Sequence, residues 1–481
     1  MPNKSKSSIS NQKRVKNEKE SKKTKSISIC FKHHFTNEEI KDLQENLLKW
    51  YDKEQRKLPW RDIAKTETDA NIRGYAVWVS EIMLQQTQVA TVIPYFNKWM
   101  KKWPTVKHLA AGKLEEVLQM WAGLGYYSRG RRLHEGAKII MEKLGGNIPQ
   151  VVPQLMKSIP GIGQYSASAI ASVAFQKNVG VVDGNVIRVL SRIRLIGANV
   201  SHPGVRDHLW ELANKIVSNK RPGDFNQALM ELGAVVCTPQ NPNCAKCPVS
   251  SCCAVYSLAE KSKLNGTLDS FVKNSSAKKK SSDDIPDIEN VAGCNFCLPS
   301  SVWEQNPQVT AYPRKVEKKS AREEKVNVIV IKNKNKYFVV KRPEKGLLAG
   351  LWEFPSIVMP EVPSDSIDVN VFMKELGIPN CLLSSKQHVG EVIHLFSHIH
   401  TTYIVDYVVV NEPIKPSTSE RETKWISEED IKTEAISTAM KKVFALFRKL
   451  EDSPNKKPTN KKRKLTADSN QKSIKSFFRK S

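Results

Sequence analysis

The sequence predicts a multidomain protein in which a mostly helical domain, residues 36–257, precedes an α+β domain, residues 322–450. Three observations carry this. Apolar residues recur at helical spacing through the first stretch and switch to strand spacing from Val326 onward. Residues 258–321, between the two patterns, are rich in Lys, Ser and Asp and read as a linker. Both ends, residues 1–35 and 451–481, are polar and basic and read as disordered tails.

A chain of 481 residues can bury two or three cores. A hydrophobic fraction of 40% with ten Trp excludes wholesale disorder. No run of about eighteen apolar residues occurs, so a membrane-spanning helix is excluded. The formal charge of +27 favours a polyanionic partner. The first thirty residues and the last thirty-one each carry a net +7 of it. Lys456-Lys457 and Lys461-Lys462-Arg463-Lys464 are two basic clusters with a short spacer, a pattern suited to nuclear import. The N-terminus has no apolar stretch of the secretory kind, and a mitochondrial presequence is the second reading of that Lys-rich segment. A monomer is expected.

Within the helical stretch, Ile82, Leu84, Val89, Val92, Ile93 and Phe96 recur at three and four spacing. A further helix is predicted from near Tyr165 through Ala167, Ile170, Ala171 and Ala174. Pro59, Pro94, Pro104, Pro149, Pro160, Pro203 and Pro222 are expected to punctuate the helices. In the second domain, Val326–Ile331 and Tyr337–Lys341 flank Asn333-Lys334-Asn335 and read as a hairpin. Thr401–Val410 reads as another strand and Ala435–Leu450 as a closing helix.

Nine cysteines are too few and too unevenly placed for a disulfide scaffold. Cys237, Cys244, Cys247 and Cys253 form C-x6-C-x2-C-x5-C in one short loop. Four thiolates from one tight loop suit a tetrahedral metal or a cubane cluster. Zinc ribbons usually bring two well-separated C-x2-C pairs, and this loop has one, so a [4Fe–4S] cluster is preferred. Cys252 is a spare beside Cys253. The expected role is to shape a basic loop around Lys246 rather than to do redox chemistry.

Ile159-Pro160-Gly161-Ile162-Gly163 stands between two helices. Its glycines, Gly161 and Gly163, let backbone N–H groups approach a phosphate, and the next helix start favours the anion. Alone this could be an ordinary turn. It is followed by Val182-Asp183-Gly184-Asn185-Val186 and then by the cysteine loop. In that order the three motifs resemble the helix-hairpin-helix DNA glycosylase superfamily. Val77–Val89, which holds Glu81, and Trp121–Arg129 resemble the corresponding segments of MutY-type adenine DNA glycosylases of eukaryotes. Leu347–Pro355 resembles their Nudix-like C-terminal domain. The resemblance covers roughly residues 40–257 and, more loosely, 325–450. It implies an all-α helix-hairpin-helix glycosylase domain with an iron–sulfur loop, plus an α+β Nudix-like domain.

The resemblance also implies a chemistry. Adenine leaves poorly unless a ring nitrogen is protonated, and a carboxylic acid among apolar neighbours can supply that proton. Glu81 is the implied acid. Asp183 is the implied ionic stabiliser, or nucleophile, for the oxocarbenium-like sugar. Asn185 and Tyr165 would orient sugar and carboxylates. Lyase-competent superfamily members carry a lysine where this chain has Tyr165, so imine chemistry is not expected and hydrolysis should stop at base removal. The flipped adenine falls to Leu58, Trp60, Arg61 and Gln227, and the vacated stack to Gln86 and Tyr126. Core packing alone would also account for Trp60 and Tyr126. The implied substrate is duplex DNA with adenine opposite 8-oxoguanine or guanine.

In the second domain, Phe396, Ser397 and His398 resemble the family's loop that inspects the base opposite adenine, although on the residues alone His398, in a stretch with His394 and His400, reads as a solvated loop histidine. Setting Gly377 on the last glycine of a catalytic Nudix box puts Asn370, Val371, Lys374 and Glu375 at its charged positions, so phosphohydrolase activity is not expected. Cys294 and Cys297 sit where animal relatives bind zinc. Asp287 holds the first ligand position there, and His33 and His34 are both candidates for the N-terminal ligand. In the tail, Gln471, Ile474, Phe477 and Phe478 resemble the box that docks on a sliding clamp. A glycosylase for another mismatched base, or a non-catalytic damage-recognition protein, are the competing readings.

Overall fold

The computed structural model describes residues 31–260, 294, 296–297, 308–314, 321–344, 346–359, 386–396, 398–412 and 421–452. The nuclear-import clusters, the clamp box, Asp287, Ser397 and the degenerate Nudix box lie outside them. Twelve labelled α-helices come first: α1 Asn37–Glu54, α2 Pro59–Thr66, α3 Ala70–Leu84, α4 Val89–Lys102, α5 Val106–Ala111, α6 Leu114–Trp121, α7 Ser128–Lys143, α8 Val152–Ser158, α9 Gln164–Phe175, α10 Gly184–Ile193, α11 Pro203–Ile216 and α12 Pro222–Val235. By contacts the chain divides into two units. One is Met1–Tyr51, Val182–Ile216 and Ala228–Lys315; the other is Asp52–Val181, Val217–Gln227 and Val316–Ser481.

In the larger unit the core lies around α3 and α9. Gly74 through Met83 are all buried on α3, and Ser166 through Ala174 on α9. A helix apolar on every side belongs in the centre of a domain. Their small residues let the two pack closely: a Cβ at Gly74 would come within 2.6 Å of the Phe175 ring. The apolar run from Ile82 to Phe96 divides into α3 and α4, because residues 85–88 leave helical geometry and Gln86 has φ +54°. Pro94 does not end a helix as expected; it stands inside α4, within its second turn. There its missing N–H removes one bond without stopping the helix.

The α+β domain also belongs to this unit. It holds β1 Arg322–Asn333, β2 Lys336–Lys341, β3 Trp352–Glu353, β4 Ser356–Val358, β5 Gln387–Leu395, β6 Ile399–Val409, β7 Thr423–Ser427 and the helices α13 Glu428–Thr433 and α14 Thr438–Glu451. The sheet runs β3-β2-β1-β6-β5, with β4 paired to β1 and β7 to β2. Strands β1 and β6 are parallel, while β5 and β6 are antiparallel. Val326, Val328 and Val330 alternate onto the face that packs on Val443, Phe444 and Phe447 of α14. The strands β3, β4, β5 and β7 carry too few alternating apolar residues to be legible in the sequence. Among the described residues no helix is long and apolar enough to cross a membrane.

Candidate active site and metal-ligand clusters

Glu81 lies on buried α3, with only 8% of its surface exposed. The Tyr165 hydroxyl, one residue into α9, donates to its Oε2 at 2.8 Å. Packing α3 on α9 therefore sets the acid–phenol pair. Just before α9, Gly161 has φ +80°, and a Cβ there would lie 2.8 Å from Arg132 Cδ, so the turn needs glycine. Gly163 is the N-cap of α9 with nothing within 4 Å of where its Cβ would be, which leaves the helix start open.

Asp183, in the other unit, is the N-cap of α10 and accepts from the Val186 N–H at 2.7 Å. The Asn185 amide donates to its Oδ2 at 2.8 Å. Burial pushes the Asp183 carboxyl above the ordinary aspartate range; the Val186 N–H, Asn185 and the Arg188 charge pull it back in part. Arg188, on the next turn, donates to the Asn185 side-chain Oδ1 at 2.9 Å, to the Gly233 backbone carbonyl at 2.6 Å and to the Cys237 backbone carbonyl at 2.8 Å. One guanidinium thus ties the Asp183–Asn185 pair to the start of the cysteine loop. One turn further, Arg192 reaches Cys237 Sγ at 3.3 Å and the Thr238 carbonyl at 2.8 Å. Sequence reasoning missed these arginines; the spacing of Asn185, Arg188 and Arg192 along one helix face was the available signal.

Cys237, Cys244, Cys247 and Cys253 line one cavity together with Val189, Leu232, Val249 and Val309. Cys252 does not; its thiol donates to the Val249 carbonyl at 3.3 Å. Burial pushes the Cys247 and Cys253 thiols each up to about 12, and their neighbouring thiols add to the effect. Four sulfurs lining one cavity can be thiolates together only around positive charge, so the donor set fits an iron–sulfur cluster or another thiophilic metal.

A second ligand cluster forms in the same unit. His33, Cys294 and Cys297 bring their ligand atoms within 4.8 Å of one another. His33 is fully buried, with Nδ1 2.7 Å from the Arg194 carbonyl and Nε2 3.4 Å from Cys297 Sγ. The carbonyl fixes the tautomer that leaves Nε2 free to ligate. Burial also holds His33 below its ordinary value, in the neutral form a metal needs. Of the two candidate histidines it is therefore His33 that joins the cysteines. His34 instead meets the His208 ring edge-on at 5.2 Å.

The remaining residues fall in the larger unit. Leu58 caps α2, and Trp60 packs edge-on against Phe96 at 5.4 Å, both inside the core. Arg61 Nε donates to Gln227 Oε1 at 3.1 Å, so those two come together. Gln86 is exposed and Tyr126 is 44% exposed, both on loops, so Tyr126 is not a core residue. Phe396 begins the β5–β6 turn, its ring 4.6 Å from His394, and His398 is exposed at the tip.

This fold and this site define a helix-hairpin-helix base-excision glycosylase. The family described as HhH-GPD superfamily base excision DNA repair protein matches residues 79–215, and the NUDIX domain family matches residues 327–446. The adenine DNA glycosylase of Rattus norvegicus is 47% identical over 421 residues, covering 85% of this chain and 78% of its own. That of Homo sapiens is 46% identical over 425 residues, covering 85% and 74%. That of Schizosaccharomyces pombe is 37% identical over 426 residues, covering 83% and 88%. The chain belongs to the adenine DNA glycosylase family: it is a base-excision-repair DNA glycosylase, with DNA as its substrate.

Proposed function

We propose that the enzyme removes adenine opposite 8-oxoguanine or guanine by hydrolysing the N-glycosidic bond, and leaves the strand uncut. The carrying observation is the 2.8 Å bond from the Tyr165 hydroxyl to Glu81. A phenol stands where lyase relatives place an amine, so no imine forms, and its O–H orients the acid. Glu81 delivers a proton to the adenine ring as the base departs. Asp183, steered by Asn185, stabilises the cationic sugar until water adds. Arg61 and Gln227 hold the extruded base, Gln86 and Tyr126 fill the stack it leaves, and the turn at Phe396–His398 reads the opposite base. Cys237, Cys244, Cys247 and Cys253 would hold a [4Fe–4S] cluster, whose contribution is to fold the basic loop. His33, Cys294 and Cys297 would hold zinc. The tail box docks on a sliding clamp, and the basic clusters direct the protein to the nucleus, with the mitochondrion as a second site.

Labelled duplexes bearing A:8-oxoG, A:G, A:C and T:G, read with and without alkali, test this. Adenine should be lost from the first two, with breaks only after alkali. Efficient trapping of the wild type by borohydride would sink the hydrolytic reading.

A further inference from the structure

The two residues assigned to the vacated stack share a backbone oddity. Gln86 has φ +54° and Tyr126 φ +46°, values that side chains other than glycine rarely adopt. Such strain persists only where the surroundings over-determine it. One side chain touches both loops. Arg129, on the first turn of α7 and 7% exposed, sends Nη1 to the carbonyls of Ile82 at 3.0 Å and Met83 at 3.1 Å, and also to that of Gln85. Its Nη2 reaches Thr87 Oγ1 at 3.2 Å and the carbonyls of Leu124 at 3.0 Å and Gly125 at 3.1 Å. Gln86 is therefore gripped on both flanks and Tyr126 from its N-terminal side. The guanidinium also lies 5.4 Å from the centres of the Tyr126 and Trp121 rings.

We propose that Arg129 is a positioning residue that sets the separation and aim of Gln86 and Tyr126, so that both enter the duplex together when adenine is extruded. This rests on the assignment of those two residues above. The planar fork matters: its two terminal nitrogens reach six acceptors, two at the end of α3 and four on two loops, whereas an ammonium has one nitrogen and three donors. Arg129 itself contacts backbone, aromatic rings and one hydroxyl. Its effect should appear in extrusion rather than in bond cleavage.

Arg129→Lys tests this by single-turnover excision on two substrates, an A:8-oxoG duplex and the same adenine strand as a single strand, where the base need not be extruded from a duplex. Relative to wild type, the duplex rate should fall about a hundredfold and the single-strand rate by no more than about threefold, as expected when orientation but not chemistry is lost. Equal losses on both substrates, or no loss on the duplex, would overturn the proposal. Thr87→Val removes one acceptor of the guanidinium and leaves Arg129 itself in place. It serves if Arg129→Lys does not fold, and should slow the duplex reaction alone; an unchanged duplex rate counts against the proposal. Gln86→Ala with Tyr126→Ala separates the two layers. If that double variant extrudes normally, the stack assignment fails and the proposal with it. If it is duplex-impaired, adding Arg129→Lys should cost little more, and a full additional loss would show that Arg129 acts elsewhere.

Discussion

Replacing Arg188 with methionine keeps most of its stem and deletes every donor. Bonds of 2.9 Å to Asn185, 2.6 Å to Gly233 and 2.8 Å to Cys237 are lost. Three backbone carbonyls then lose a donor; Gly184 is exposed and water can replace it, while the part-buried bonds to Gly233 and Cys237 are worth about 1–3 kcal/mol each. Burying the guanidinium is itself unfavourable, which is why burial lowers its own proton affinity, and methionine recovers that part. The net loss should be about 2–4 kcal/mol of folding stability. Activity should fall further than stability explains. Asn185 loses the partner that fixes its carbonyl, and its amide then no longer holds Asp183 Oδ2; supporting-shell losses of this kind typically cost about 10–100-fold. The assay is single-turnover adenine release at a temperature well below melting, with iron per chain and a denaturant melt on the same preparation. A variant with reduced stability but a wild-type rate would refute the link from Arg188 to Asp183. A slowed variant with unchanged iron would place the effect on Asp183 alone.

Glu81→Gln keeps the shape and removes the proton, so excision should collapse by about a thousandfold or more while mismatch binding persists; a rate within a few-fold of wild type in single-turnover assays rejects the acid assignment. Asp183→Asn should be similarly impaired, since the sugar cation loses its ionic partner; an active variant places that charge elsewhere. The acid limb of the rate profile should sit above the ordinary aspartate range, because burial raises Asp183 and the working form is ionised, so activity is lost as pH falls through the raised value. Asn185→Ala removes a bond that opposes the rise and should move that limb to higher pH; a pH–rate series showing a shift downward contradicts the assignment. Gly350→Ala should cost about 1–2 kcal/mol in a denaturant melt, since φ is +68° and the new Cβ would also push aside the flexible end of Arg131; an unchanged midpoint means the loop moves freely.

What the sequence made legible followed from periodicity and spacing. The helical character of the first domain, the β1–β2 hairpin and the closing α14 all come from apolar residues at regular intervals. The candidate cluster cysteines were visible because four thiols crowd one short loop, and Tyr165 because it sits at a fixed offset from the hairpin glycines. The identity of the histidine beside Cys294 and Cys297 was not legible. His33 is more than 250 residues upstream of Cys297, and its ring is set apart from that of His34 only in the folded chain, by burial, the Arg194 carbonyl at 2.7 Å and Cys297 Sγ at 3.4 Å. Strand β5 was hidden because it is an edge, with Ile393 and Leu395 exposed at 63% and 66%, so its pattern does not alternate as a half-buried strand should.

The arginines were the least legible of all, for a physical reason. A formal charge of +27 reads as a surface for a polyanion. Yet Arg129, Arg192 and Arg194 are at most 7% exposed. Their partners are chiefly carbonyls in segments without regular structure. Arg192 serves Tyr312, Thr238 and Pro239, while Arg194 serves His34 and Cys252. Loops that cannot bond to themselves must find donors elsewhere, and a guanidinium supplies five from one side chain. In this chain those loops carry the candidate wedge residues and the metal ligands. Part of the positive charge is thus structural: it supplies donors to irregular segments that carry the candidate site residues and the candidate metal ligands. A count of Lys and Arg cannot separate that part from the part facing phosphate, because the two differ only in what the folded backbone leaves unsatisfied.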